Sequence, residues 1–314
     1  MSFSYNVKEE LEKHTSDNRH CQIAELAAII HYQGSLMRTA EGNLQLQIST
    51  ENPFVLRKVF TLLSKTFNIE ASECKKNAQK EKKSNVFVVS IEKEEEIKVI
   101  FQSIKLLDSD GVLHHLKDRI NPVILKQSCC QRAFLRGAFL SIGSISDPSK
   151  GYHLEMVCSQ WIQAQQIRDI MNVFHLEGKI VERKNHFVVY LKEGAHIVDF
   201  LNICEAHVAL MELENLRILK EMRNSINRRV NCETANIAKT INAASKQIDD
   251  IIFIRDSIGF SKIPDNLRQI AEVRLEHPEA TLKELGGYLD PPVGKSGVNH
   301  RLRKLSEIAD LNRW

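Results

Sequence analysis

The sequence predicts an α+β protein in which an α/β unit of about a hundred residues occurs twice and is followed by a purely helical C-terminal region. Three observations carry that expectation. The segment LAAIIHYQGSL at residues 26–36 returns as LRGAFLSIGSI at residues 135–145. The same order of helix and strand patterns follows each copy. After residue 207 the strand-like alternation stops and only helical periodicity remains.

Each copy opens on a long apolar helix closed by Gly-Ser and an aliphatic residue, and a glycine at that place reads as a helix stop. The second copy is rich in small residues, with Gly137, Ala138, Ser141 and Gly143. Small side chains let another backbone come close, so the two copies are expected to pack against each other along a pseudo-twofold axis. The runs NLQLQIS (43–49) and YHLEMVC (152–158) then alternate like strands. FVLRKVFTLLSKTF (54–67) and IQAQQIRDIMNVF (162–174) follow with helical spacing and close on FNIEA and FHLEG. VFVVSI (86–91) and FVVYL (187–191) are short β-branched and aromatic runs of strand type. EEEIKVIFQSIKLL and AHIVDFLNIC end the two halves as helices. Each half therefore reads as helix, two strands, helix, two strands, helix. Such a unit buries one sheet face under helices and leaves the other face free to bind. The charged tip KKNAQKEKKSN (75–85) reads as a solvated hairpin loop, with a DNA-reaching arm as the alternative.

The C-terminal third divides differently. HVALMELENLRILKEMRNSINRRV (207–230) is a helix whose second half is basic, with Arg217, Lys220, Arg223, Arg228 and Arg229. A solvated linker helix and a phosphate-contacting one are both open. Asn231 to Thr234 is expected to break the chain between helices, with Cys232 packed, and Ile237, Ile241, Ala244 and Ile248 form the next apolar stripe. A first short helix is expected over 264–277, between Pro264 and Pro278. Thr281 and Glu284 then have capping-box spacing for a second. The third is expected to start at Ser296 as N-cap and to bury Val298, Leu302, Leu305 and Ala309. This is a helix-turn-helix arrangement, although the link from Leu289 to Lys295 exceeds the usual three or four residues. The expected segments are 1–110 and 111–206 for the two repeats, 207–260 for a helical linker and 261–314 for the helix-turn-helix.

The third helix is the candidate recognition element. No acid occurs from Val293 through Ser306, and Asn, Arg and Lys supply donors to base edges and cations to phosphates. Its N-terminal half is expected to face the bases through Ser296, Asn299, His300 and Arg303. Lys295, Arg301 and Lys304 suit phosphates. A solvated basic helix in an unrelated bundle is the competing reading.

Composition bounds the function. With 43 Lys and Arg against 40 Asp and Glu, the net charge is +3, too small for a general DNA coat, so any nucleic-acid site must be local. No apolar run is long enough to span a bilayer. MSFSYNVKEELEKH is polar and acidic at once, unlike a signal or transit peptide, so a cytoplasmic protein is expected. The seven cysteines include one adjacent pair, Cys129-Cys130, and no CxxC; reduced thiols are expected, with neither a disulfide framework nor a zinc cluster.

The repeated helices resemble the LAGLIDADG motif of homing endonucleases, in which paired helices join two α/β units and an acid near each helix end holds a divalent metal. Carried onto this sequence, those positions are Gln33 and Ile142. Hard cations need carboxylate oxygens, so no catalytic or metal-holding residue is expected there. A nuclease recruiting Glu25, Glu41 or Asp147 is the enzymatic alternative. Together with NRRVNCETANIAKTINAASKQI and TLKELGGYLDPPVGKSGVNHRLRKL, the degenerate repeat closely resembles the WhiA family of bacterial regulators over essentially the whole chain. The resemblance implies duplicated LAGLIDADG-like units followed by a helix-turn-helix domain, binding double-stranded DNA in the nucleoid. It further implies transcription control in sporulation and differentiation or in cell division and chromosome segregation, with an RNA polymerase sigma factor as a partner in part of the family, and no cofactor. A protein-interaction adaptor with residual DNA binding is the third reading.

Overall fold

The computed structural model describes residues 2–38, 44–77, 85–108 and 110–313. They form two compact units, Met1–Lys220 and Glu221–Trp314. Residues 78–84 of the charged tip, and Glu41, lie outside the described residues.

The first unit carries the expected duplication. In one half, α2 (Arg19–Gln33), β1 (Gly34–Arg38), β2 (Leu44–Thr50), α3 (Pro53–Phe67), β3 (Ser72–Asn77), β4 (Asn85–Ile91) and α4 (Glu94–Ser103) follow in order. In the other, α5 (Ser128–Ile142), β5 (Gly143–Ile145), β6 (Leu154–Cys158), α6 (Trp161–Val173), β7 (Lys179–Arg183), β8 (His186–Leu191) and α7 (Gly194–Ile203) repeat that order. Each half makes one antiparallel four-stranded sheet, ordered β1-β2-β4-β3 and β5-β6-β8-β7. Pairing is in matching register: Gly34 meets Ile48 where Gly143 meets Met156.

Alternation sets the sheet faces, since successive strand side chains point to opposite sides. Leu46, Ile48 and Thr50 are buried on β2, as are Leu154, Met156 and Cys158 on β6. The opposite face carries Gln45, Gln47 and Ser49 in the first half, and Glu155 and Val157 in the second. Amides and a carboxylate thus occupy the face left open.

The two halves share one core whose centre is the pair α2 and α5. These helices have equal length and matching register, Arg19 corresponding to Ser128 and Gln33 to Ile142. Gly137 shows why α5 carries small residues. A Cβ there would stand 2.5 Å from the Glu25 carbonyl oxygen and 3.1 Å from the Cβ of Ala28. Ala28 is the residue of α2 that corresponds to Gly137, so the two copies touch there at equivalent positions.

An element beyond the repeat is α1 (Phe3–Lys13), formed by the N-terminal stretch that composition marks only as polar. Phe3, Val7 and Leu11 recur every four residues and are buried. Burial of each such side chain is worth roughly 1.5–3 kcal/mol, enough to hold a helix whose other faces are hydrophilic. Ser2 caps it by accepting from the Tyr5 N–H. Its Glu10 carboxylate in turn accepts from the N–H groups of Val208 and Ala209, at 2.7 and 3.0 Å, capping the start of the next long helix.

That helix, α8 (His207–Phe253), is continuous, which corrects the expected break at 231–234. The segment contains no glycine or proline, Arg229 pairs with Glu233 one turn on at 3.3 Å, and Thr240 directs its hydroxyl back to the Asn236 carbonyl. Nothing local favours leaving the helix. Cys232 is exposed, not packed, and Ile237 and Ile241 are also exposed.

In the second unit, Ile251 and Ile254 join a core with residues of α9 (Asp265–Glu276), α10 (Leu282–Gly287) and α11 (Lys295–Asn312). Buried Arg274 donates to the Ala280 carbonyl at 2.6 Å and to Gln247 at 2.9 Å, tying the end of α9 to α8. Arg313 reaches buried Asp250 at 3.0 Å.

Candidate nucleic-acid interface

The three helices α9, α10 and α11 form the helix-turn-helix. At the start of α10 the Thr281 hydroxyl accepts from the Glu284 N–H while the Glu284 carboxylate accepts from the Thr281 N–H at 2.8 Å. These bonds from Thr281 hold the Glu284 carboxyl below its ordinary value. The long link after α10 folds back onto it. Val293 donates its N–H to the Gly286 carbonyl at 2.9 Å, and a Cβ on Gly286 would lie 1.9 Å from the Val293 oxygen. A glycine there lets a link longer than the usual turn still deliver α11 onto the same core.

The start of α11 differs by two residues from the sequence expectation. Gly294, in extended conformation, is the N-cap, and Ser296 lies inside the first turn. The cause is the Val298 N–H bond to the Gly294 carbonyl at 3.1 Å, which begins the helix ahead of the serine. The buried stripe Val298, Leu302, Leu305 and Ala309 is as expected. At 100° per residue, the direction opposite that stripe is occupied by Ser296, His300, Arg303 and Lys304, joined by Glu307. Lys295 and Asn299 stand on one flank and Arg301 on the other.

Lys295, Ser296, Asn299, His300, Arg303 and Lys304 are all exposed. Arg301 is half-buried and directs Nη1 at the Asn266 carbonyl, 3.5 Å away. Arg303 Nε pairs with Glu307 at 3.2 Å. This acid, one residue beyond the acid-free segment, is a partner the sequence pattern did not bring into the site.

The basic residues of α8 separate into two groups. Arg217 pairs with Glu214 at 2.9 Å, and Lys220 donates to the Pro148 carbonyl at 2.6 Å while lying over the Tyr152 ring. These two are engaged within the first unit. Arg223 and Arg228 are exposed, and Arg229 is held by Glu233.

The ends of α2 and α5, where the nuclease motif would carry its acids, hold an amide and an aliphatic chain. Gln33 donates Nε2 to the Ser141 carbonyl at 2.8 Å, and Ile142 packs against the core. Of the other acids, Glu25 is wholly buried and surrounded by cations. Lys58 Nζ lies at 3.1 Å, and Arg136 grips both carboxylate oxygens through Nε at 3.1 Å and Nη2 at 3.2 Å. Arg136 also donates to Glu205 at 2.6 Å. Burial pulls the Lys58 ammonium below its ordinary value even with Glu25 beside it. Asp147 accepts from the Ser149 N–H at 2.9 Å in an exposed turn, and the Ser149 hydroxyl together with that N–H lowers its carboxyl.

One cluster escaped the reading of sequence spacing. His20, Cys21, Cys129 and Cys130 place one imidazole nitrogen and three sulfurs within 4.8 Å of one another. The chain lacks CxxC, but the two halves bring adjacent pairs together across the helix seam. The signal available in the sequence was the matching register itself, His20-Cys21 on α2 against Cys129-Cys130 on α5.

Comparison with known proteins agrees with this architecture. Models described as the WhiA N-terminal LAGLIDADG-like domain, the WhiA LAGLIDADG-like domain and the WhiA C-terminal HTH domain match residues 19–107, 131–223 and 226–309. Two relatives bear the name "Probable cell division protein WhiA". That of Lachnoclostridium phytofermentans is 50% identical over 99% of each chain. That of Alkaliphilus metalliredigens is 46% identical over 100% of this chain and 99% of its own. Among solved structures, full-length WhiA from Thermatoga maritima is similar with a TM-score of 0.61 and 26% identity, covering 99% of this chain and 98% of its own. Likeness in every segment, at this identity and over the whole length, leads to one conclusion: the chain belongs to the WhiA family, with paired LAGLIDADG-like units followed by a helix-turn-helix domain.

Proposed function

We propose that this protein is a non-catalytic, sequence-specific DNA-binding regulator of transcription that acts in cell division. The observation that carries the reading is the outer face of α11, where Ser296, Asn299, His300 and Arg303 offer hydrogen-bonding groups and Lys295 and Lys304 offer cations, all exposed. A helix of this kind fits the major groove, with its N-terminal half on base edges and its lysines on phosphates. Arg301 is a flanking phosphate contact that must first leave the Asn266 carbonyl. Arg223 and Arg228 add salt-sensitive contacts. The role in cell division rests on the names of the relatives, and association with the nucleoid follows from DNA binding itself.

The absence of catalysis is supported by Gln33 and Ile142, which cannot together supply two anionic oxygens to a divalent ion, and by the cations already surrounding Glu25. The scaffold is then available to hold a protein or further DNA, and a sigma factor of RNA polymerase is the partner class we favour.

The deciding experiment is a binding titration of the full chain against genomic fragments recovered by crosslinking. Arg303→Ala should cost about 1–3 kcal/mol on the preferred site, whereas Lys304→Ala should weaken all duplexes alike and reduce the salt slope by about one. Equal affinity of the wild type and both variants would remove α11 from the interface. Incubation with supercoiled plasmid and Mg²⁺ or Mn²⁺ should leave the DNA intact; nicking that vanishes on substitution of Asp147 would restore the nuclease reading.

A further inference from the structure

We propose that His20, Cys21, Cys129 and Cys130 form a structural zinc site that staples the two LAGLIDADG-like halves together at the N-terminal ends of their paired helices. The four donor atoms already converge: His20 Nδ1 is 3.2 Å from Cys130 Sγ and 3.3 Å from Cys21 Sγ, and all four lie within 4.8 Å of one another. In a tetrahedral zinc site with Zn–S near 2.3 Å, donors stand about 3.8 Å apart. Rotamer adjustment of 1 Å or less therefore separates the present arrangement from a coordination shell. Three sulfurs and one imidazole are the closed, four-protein-ligand set of structural zinc, with no position left for substrate.

The placement favours that chemistry in two further ways. All four residues lie in the first turn of α2 or α5, so the pairing of the two helices brings them to one end of the seam. Cys21 and Cys130 are buried, Cys129 is half-buried and His20 is exposed, so the site is shielded from water but open on one side for an ion to enter. The halves contribute equally, His20-Cys21 from one and Cys129-Cys130 from the other, at corresponding positions of the repeat. Binding exchanges three Sγ–H bonds for three Zn–S bonds and adds one Zn–N bond. Three protons pass to solvent, His20 keeps its proton on Nε2, and nothing is oxidised or reduced.

The test uses the full chain purified with a non-thiol reductant and no chelator. Elemental analysis should return about one zinc per chain. Replacement of that zinc by Co²⁺ should give the intense visible bands and sulfur-to-metal charge transfer of a tetrahedral thiolate site. Cys21→Ser and Cys130→Ser should each lose the metal and the bands, while Cys232→Ser, at an exposed cysteine far along the chain, should keep both. Should the cluster variants fail to fold, the wild type still decides the matter. A mercurial titration that releases one zinc as three thiols react supports the site. Folded wild-type protein with no zinc and no cobalt bands overturns it, as does metal retained equally by Cys21→Ser and Cys130→Ser.

Discussion

Replacing Gly137 by alanine tests the seam between the two halves. The added methyl would sit 2.5 Å from the Glu25 carbonyl oxygen, 3.3 Å from the carbonyl carbon and 3.1 Å from the Ala28 Cβ. Carbon needs about 3.5 Å to clear a neighbour without repulsion, so α2 and α5 must part by nearly 1 Å. Sliding is resisted on the spot. Arg136, the preceding residue, grips both oxygens of Glu25, the residue whose carbonyl is struck, and Lys58 holds the same carboxylate. Overpacking of a core costs about 1–3 kcal/mol. The obstacle here is backbone, which cannot rotate away, so the upper end applies. Alanine returns about 1 kcal/mol through helix propensity, leaving a net loss of about 2 kcal/mol. For a unit of this size that lowers Tm by about 4–8 °C. The assay is thermal unfolding followed by circular dichroism, with urea titration for the free energy. Adding Ala28→Gly removes the 3.1 Å contact but not the 2.5 Å one, so it should not rescue the variant. A Gly137→Ala protein as stable as the wild type, or full rescue by Ala28→Gly, would refute the close-approach argument.

Three other outcomes follow from the same geometry. Glu25→Gln leaves Lys58 and Arg136 buried beside a neutral amide and should cost about 3–5 kcal/mol in urea unfolding, with Lys58→Met costing less because Arg136 still neutralises the carboxylate. Burial holds the His31 imidazole down to about 4, whereas an unfolded one titrates near 6.5. The neutral ring's contribution is therefore complete above pH 6.5 and drains away as pH falls toward 4. Wild type should lose about 3 kcal/mol more than His31→Leu over that interval, and parallel pH profiles would contradict the assignment. Glu307→Ala releases Arg303 and removes an anion from the outer face of α11, so DNA affinity should rise by a factor of two to three, about 0.5 kcal/mol, in low-salt anisotropy titrations. Unchanged affinity would place Arg303 away from the phosphates and bases.

What could be read in the sequence was whatever depends on neighbours along the chain. The repeated Gly-Ser helix end, the alternation on β2 and β6, the Thr281–Glu284 capping box and the stripe from Val298 to Ala309 are short-range patterns, and each has its expected counterpart in the fold. The N-cap of α11 falls at Gly294 and not at Ser296, the better capping side chain, because the backbone bond from Val298 to Gly294 starts the helix earlier. The expected break at 231–234 is absent because cap-forming residue types end a helix only when something stops the next turn, and nothing there does. The α1 helix was hidden by polar composition, although its three buried positions sit at helical spacing. Glu25, Lys58 and Arg136, and the His20–Cys130 cluster, join residues far apart in the chain. Single-sequence periodicity carries no information about such pairs until the duplication is used to lay one helix over the other.

The lopsided ion network across the seam has a consequence for how the two halves can assemble. Two identical copies of the first half, docked as a homodimer, would bring Ala27 to the place where Arg136 now stands and would bury two Glu25 carboxylates with no guanidinium between them. Two copies of the second half would bury a pair of arginines instead. Each charge keeps a partner in its own half, Lys58 for Glu25 and Glu205 for Arg136, but the grip of Arg136 on Glu25 exists only between unlike halves. Neither half, excised as a symmetric dimer, should hold together as firmly as the two unlike halves hold each other.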